Sequence, residues 1–133
     1  MISIKEILGG VPISDVPIAH QHNIEELLRK VNILRSAWGK PMRVTSGYRT
    51  EQDHIRIYSQ KGITDRSKIP MKSQHLIGSA IDIFDPDLSL TKWLKENDSK
   101  RLVDVELYAE EGNSNWVHLQ LKKPASGKRW FLP

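Results

Sequence analysis

With five histidines, sixteen acidic residues and no cysteine, any zinc-like site in this 133-residue chain must be built from imidazole and carboxylate. The absence of thiols excludes disulfides and thiolate zinc sites and leaves the redox compartment open. The histidines are His20, His22, His54, His75 and His118. The first three stand in contexts typical of caps or surface positions. His75 lies in Ser73-Gln74-His75-Leu76-Ile77-Gly78-Ser79-Ala80-Ile81-Asp82. Strand periodicity puts Ala80 and Asp82 on one face there, with Ile81 and Ile83 on the other. A carboxylate among Ala80, Ile81, Ile83 and Phe84 is costly to bury without a partner. Gly78 lets the chain turn, so that His75 folds back beside Asp82. Alternation also turns His118 away from the apolar row of its own strand. Two imidazoles and one carboxylate suit zinc with a fourth position open for water. Pairing of Asp82 with His75 or an arginine to close a turn is the alternative that the spacing leaves open. The chain has no His-Glu-x-x-His, which excludes the helix-borne metalloprotease arrangement.

The elements that must position these residues are legible in outline. Ser3 and Glu6 have capping-box spacing ahead of a short helix to Leu8, which Gly9-Gly10 ends. A Pro-containing connector, Val11 to Ala19, follows. Asn23 and Glu26 repeat the capping-box spacing before a helix whose Ile24, Leu27, Leu28, Val31, Leu34 and Trp38 share one face, with Gly39 and Pro41 as the stop. Met42 to Ser46 reads as a short strand leading into Gly47-Tyr48-Arg49, and Thr50 is placed to cap a helix over Glu51 to Gln60. The polar stretch Lys61 to Lys72 reads as a surface loop, either shaping a groove before His75 or solvated only. Ser79 to Phe84 is a buried strand, and Leu90, Trp93 and Leu94 mark a short helix to Glu96. A hairpin follows in outline: Val103, Val105, Leu107 and Ala109 alternate with Asp104, Glu106, Tyr108 and Glu110, and Val117, Leu119 and Leu121 with Trp116, His118 and Gln120. Pro124 to Pro133 reads as a tail packing through Trp130 and Phe131. The expected fold is one α+β domain over residues 1–133, a small antiparallel sheet with helices packed on one side, an N-terminal arm at 1–19 and a C-terminal tail at 122–133.

Three segments now form a pattern. Ser73 to Asp82, as Ser-x-His-x-x-Gly-x-Ala-x-Asp, resembles the first metal motif of the zinc D-alanyl-D-alanine carboxypeptidase and murein endopeptidase family. That family includes phage endolysins and is structurally related to the hedgehog signalling domain. Ser46-Gly47-Tyr48-Arg49 is similar to its Ser-Gly-Tyr-Arg segment, and Trp116-Val117-His118 to its Trp-x-His segment. The three occur in family order and, with the helix before Ser46, cover roughly residues 20 to 121. The resemblance implies a hedgehog/DD-peptidase-like fold and a zinc peptidase in which His75, Asp82 and His118 bind the metal. Zinc lowers the pKa of a bound water from ~16 to about 7 and polarises a scissile carbonyl. A carboxylate must then accept the water's proton and pass it to the leaving amine.

Several relatives have an acid three residues before the final His, where this chain has Asn115. Glu110 resembles the glutamate of a Tyr-x-Glu segment in hedgehog-like relatives, here Tyr108-Ala109-Glu110. It is the expected base, with Glu111 as the substitute should the register differ by one and a solvated turn glutamate as the plain alternative. Arg49 is the expected electrophilic helper, holding a substrate carbonyl or carboxylate, unless it is only a surface salt bridge. Ser73 and Trp116 are the further expected substrate contacts, though Trp116 could instead pack beneath the hairpin.

Composition sets the outer bounds. Twenty basic against sixteen acidic residues, net +4, are scattered along the chain, which reads as a mixed solvated surface and not a nucleic-acid face. No run approaches the ~20 apolar residues of a membrane span. The N-terminus lacks a secretory pattern, so action on the cell wall would require another carrier or release by lysis. The expectation is a monomer acting on peptidoglycan peptides as a D,D- or L,D-peptidase, of phage or prophage type. A metal-bearing binding domain with little peptidase activity and a dipeptidase on free D-Ala-D-Ala are the competing readings.

Overall fold

The computed structural model describes residues 1–133. Helices α1 (Ile4–Leu8), α2 (Ile18–Trp38), α3 (Glu51–Gln60) and α4 (Ser89–Val105) accompany strands β1 (Val44–Ser46), β2 (Ala80–Phe84), β3 (Tyr108–Glu110), β4 (Trp116–Gln120) and β5 (Trp130–Phe131). The strands form one sheet in the order β1-β2-β4-β3-β5. All pairings are antiparallel except the outermost, where β5 runs parallel to β3. The fold is α+β, as the succession of helices and alternating strands implies. No helix is long and apolar enough to cross a membrane.

Period-two alternation splits the sheet into two faces. Ile81 and Ile83 of β2, Val117 and Leu119 of β4 and Ala109 of β3 join the core formed with Ile7 and Leu8 of α1, Ile24, Leu27, Val31 and Leu34 of α2, and Leu90, Leu94, Leu102 and Val105 of α4. The opposite face carries Asp82 directly across from His118, and Ala80 across from Gln120. Tyr108 also stands across from Gln120, so the next alternate residue, Glu110, shares that face. The site therefore lies on the side of the sheet turned away from the main core.

Local signals account for most termini. Ser3 and Glu6 form the reciprocal capping box of α1. The Thr50 side chain accepts from Asp53 N at the start of α3. Gly39 closes α2 in the left-handed conformation. Three sequence expectations are corrected. First, α2 begins at Ile18 behind Pro17, not at Asn23, because the connector folds into a 3₁₀ turn at Ile13–Asp15 and the helix starts on proline's preset φ. Asn23 lies inside the helix, and its side chain donates to Ile77 O at 2.9 Å.

Second, residues 103 to 107 are not strand. α4 breaks at Glu96–Ser99, where Asn97, Asp98 and Ser99 take φ of 54°, 56° and 60°, and helix resumes to Val105. Leu102 and Val105 are buried at i, i+3 while Val103 is exposed, so helical packing takes precedence over the period-two pattern. Third, the C-terminal segment supplies a strand: Trp130–Phe131 pair with Ala109 and Glu110. Trp130 Nε1 donates to Ser99 Oγ at 2.8 Å, and Lys95 Nζ sits 4.6 Å from the Trp130 ring centroid. The Lys61 to Lys72 stretch, expected as a polar surface loop, contains a 3₁₀ turn at Arg66–Lys68 and buries Ile69.

Candidate metal centre and cleft

His75 comes from a 3₁₀ turn, Gln74–Ile77, just before β2. Ser73 Oγ caps that turn by accepting from His75 N at 3.3 Å, and Gly78 ends it with φ 78°. A side chain at Gly78 would be strained at that φ and would also press on Ile24 and His20 O. The Ser46 to Arg49 segment forms the bed for this turn: Gly47 O accepts from His75 Nδ1 at 2.8 Å, and Arg49 N donates to His75 O at 3.1 Å. Gly47 is itself pressed against the backbone of Ile7 so closely that any Cβ would overlap it, which explains the glycine there.

Asp82 sits between the two imidazoles. Its Oδ2 lies 3.3 Å from His75 Nε2 and its Oδ1 2.9 Å from His118 Nδ1. The remaining ring nitrogens are both committed. His75 Nδ1 faces the Gly47 carbonyl, and His118 Nε2 faces Gln120 Oε1 at 2.9 Å, with the Gln120 amide nitrogen donating to Lys122 O at 2.8 Å. Carbonyl oxygens only accept, so the outer nitrogen of each ring must bear its proton. When the rings are neutral, the lone pairs of His75 Nε2 and His118 Nδ1 therefore point at a carboxylate that is also an acceptor. Only a cation, whether proton or metal, makes that convergence favourable. The three ligand atoms lie within 4.8 Å of one another, so these residues could hold a metal ion. Outward hydrogen bonds of this kind orient metal-ligating histidines generally.

A cleft of about 520 Å³ opens over the three residues. Because β1 and β5 are opposite edges of the sheet, its walls differ. Arg49, Tyr58, Lys61, Pro70, Lys72 and Ser73 line it from α3, its flanks and the loop before His75, while Glu110, Trp116, Phe131 and Leu132 line it from β3, the start of β4 and the β5 segment. Arg49 Nε donates to Ser46 Oγ at 3.0 Å, and its NH2 lies 4.0 Å from Asp82 Oδ2. The Asn113 amide is assigned with its nitrogen 3.2 Å from Glu110 Oε1 and its oxygen 3.2 Å from Trp116 Nε1. Glu111 faces elsewhere, held by Lys95 at 2.6 Å. Asn115 is exposed and does not line the cleft.

Comparison with protein families returns a match to the model described as Peptidase M15 over residues 5–120. The chain is a member of the peptidase M15 family. Neither curated proteins nor solved structures return a match. The matched span contains the Ser46–Arg49, Ser73–Asp82 and Trp116–His118 segments and every strand of the sheet except β5. In this M15 peptidase the sequence reading missed two residues of the same network, Gln120 behind His118 and His54 behind Arg49. His54 was expected at a cap or on the surface, yet it is fully buried. Alternation put Gln120 on the His118 face and could have found it. His54 had no such signal: Arg49 precedes it by 5 residues, the Pro70 carbonyl follows it by 16, and no periodicity links the three.

The electrostatics give the M15 peptidase a pH signature without metal. Burial works against the Asp82 carboxylate, but hydrogen bonds from His118 and His75 outweigh it and hold the carboxyl well below its ordinary 3.8. Burial likewise works against a charged His118, and the Asp82 hydrogen bond and charge raise it above its ordinary 6.5. A depressed carboxyl stabilises the fold above its unfolded value and loses that contribution as pH falls; a raised imidazole contributes below its unfolded value and loses it as pH rises. Metal-free protein should therefore be most stable between about pH 4 and 6.5 and lose stability above that range. A zinc ion held by the same atoms would compete with those protons, so any stabilisation by zinc should grow as pH rises. Melting curves from pH 4 to 8.5, with chelator and with zinc, should show opposite slopes above pH 6.5. Parallel curves would reject the coupling.

Proposed function

We propose that this M15 peptidase is zinc-dependent and hydrolyses peptidoglycan stem peptides as a D,D- or L,D-carboxypeptidase or endopeptidase. The observation that carries the reading is the convergence of three acceptors, each ring turned by its outer hydrogen bond, at the floor of a cleft that also presents Glu110 and Arg49. His75 Nε2, an Asp82 oxygen and His118 Nδ1 would hold the metal. Zinc, when bound, supplies Lewis acidity that acidifies a water and polarises the scissile carbonyl.

The chain's own residues do the rest. Glu110 accepts the proton of the attacking water and delivers it to the departing amine nitrogen as the C–N bond breaks. Arg49 donates to the carbonyl oxygen as it becomes negative, or to a neighbouring substrate carboxylate. Lys61 and Lys72 line the same wall as Arg49, and neither is paired with a carboxylate. That wall favours an anionic peptide, while Trp116, Phe131 and Leu132 offer apolar contact across the cleft. Ser73, besides capping the His75 turn, borders the same space.

Purified zinc-loaded protein incubated with muropeptides, with products identified by mass, tests the reading and names the bond. Intact muropeptides after prolonged incubation would favour a metal-bearing binding domain. Arg49→Ala should keep its zinc, because Arg49 offers the metal no ligand atom, yet turn over about 10–100-fold more slowly. Arg49→Lys should not restore the rate, since an ammonium cannot hold Ser46 Oγ and a substrate oxygen with one planar fork. Zinc loss in Arg49→Ala would make the residue structural instead.

A further inference from the structure

His54 has two polar contacts, and together they admit one tautomer. Its Nδ1 lies 3.4 Å from Arg49 NH1 and its Nε2 3.0 Å from Pro70 O. A guanidinium has only N–H groups to offer, so Nδ1 must present its lone pair; a carbonyl only accepts, so Nε2 must carry the proton. An imidazolium would turn an N–H toward the Arg49 cation. The ring is fully buried and tilted against Tyr58, with centroids 4.9 Å apart. Burial also pushes the ring down toward its neutral form, although the Pro70 carbonyl opposes this.

We propose that His54 is a positioning residue that aims the Arg49 guanidinium into the cleft and ties the Pro70–Ser73 wall to the same support. Ser46 fixes Nε of the guanidinium and His54 fixes NH1, which leaves the NH2 end on the cleft side near Asp82. A flexible arginine held at two points loses little entropy on meeting substrate. The same ring anchors the loop just before His75, so wall and guanidinium keep one spacing. This inference rests on the peptidase reading for its kinetic test, but not for its structural one.

Two near-isosteres separate the two contacts. His54→Asn keeps an acceptor near the Nδ1 position and loses the Pro70 donor; His54→Gln places an amide donor near the Nε2 position and loses the acceptor for Arg49. With zinc-loaded protein, His54→Gln should lower kcat about tenfold while zinc content is kept, and His54→Asn, which gives up only the Pro70 contact, should lower it by the smaller factor of about three. In the Arg49→Ala background His54→Gln should cost nothing further, because the group it acts through is gone. An equal loss in both backgrounds, or wild-type turnover in His54→Gln, would overturn the proposal. Nitrogen-15 NMR supplies a readout independent of turnover. Wild type should show the Nε2–H tautomer of His54 and a sharp Arg49 Nε–H signal, which persists in His54→Asn and broadens in His54→Gln. The Nδ1–H tautomer, or an Arg49 signal unchanged in His54→Gln, would overturn it too. No turnover in wild type alongside the expected spectra would reject the peptidase reading and leave the positioning role standing.

Discussion

Replacing His118 by alanine should strip the protein of zinc and reduce turnover to background. His118 reaches Asp82 from β4, the centre of the sheet, whereas His75 arrives from the turn before β2, so the proposed centre joins separate segments across the sheet face. Two remaining ligands would leave zinc in a half-open, solvent-accessible site, and zinc sites of useful affinity keep at least three protein ligands. Removing the orienting partner instead, as in Gln120→Ala, should weaken zinc binding by about 10–100-fold without abolishing it, because the imidazole remains but is free to rotate. The loss should be larger for His118→Ala. Elemental analysis of protein purified without added metal, followed by a competition titration against a chromophoric chelator, measures both. Full zinc retention in His118→Ala or His75→Ala would reject the ligand assignment. The melting temperature should follow zinc occupancy, since a ligand that binds only the folded chain stabilises it by mass action.

Glu110→Gln is expected to leave zinc content unchanged and to slow turnover by at least ~100-fold. The substitution preserves shape and hydrogen-bonding reach and removes only the titratable oxygen. Amide hydrolysis fails when the amine must leave unprotonated, so a group that takes a proton from water and returns it to nitrogen governs the rate. Glu110 borders the cleft on the face that holds His118, one alternate residue along from the Tyr108–Gln120 pairing. Its neighbour Glu111 is drawn to Lys95 on the other side of the strand, and Glu111→Gln should therefore be nearly silent. Asn115 is exposed outside the cleft, its backbone oxygen accepting from Asp85 N at 2.9 Å, so Asn115→Glu should not restore a Glu110→Gln enzyme. Wild-type rates in Glu110→Gln would reject the assignment; a dead Glu111→Gln would shift it by one residue.

Where sequence and structure agree, short-range rules suffice. The Ser3–Glu6 box and the Thr50 cap act within one helical turn, and they appear as read. The alternation that set His118 and Asp82 apart from Val117, Leu119, Ile81 and Ile83 is a property of any extended chain, and the pairing of Asp82 with His118 follows from β2 lying beside β4. Gly78 was read as the turn that returns His75 toward Asp82, and its φ of 78° serves that turn.

Where they part, two local readings fitted the same residues and distant contacts chose between them. Val103, Val105 and Leu107 alternate with period two, while Leu102 and Val105 stand at helical spacing, and burial of that pair against the core selects helix up to Val105. Asn23 looked like a cap, yet its amide is used on Ile77, 54 residues away, where it helps hold the His75 turn on α2.

The sequence by itself therefore determined the candidate ligands, their faces and the family, because ligand chemistry, glycine turns and strand alternation are all encoded within about ten neighbouring residues. The tertiary structure alone decided what surrounds them. It brought His54 against the Pro70 carbonyl, turned Glu111 to Lys95, and made Trp130–Phe131 a strand that closes one side of the cleft. Each of those placements depends on contacts between segments whose relative position no local pattern specifies, and it is fixed only when the core beneath the sheet is packed.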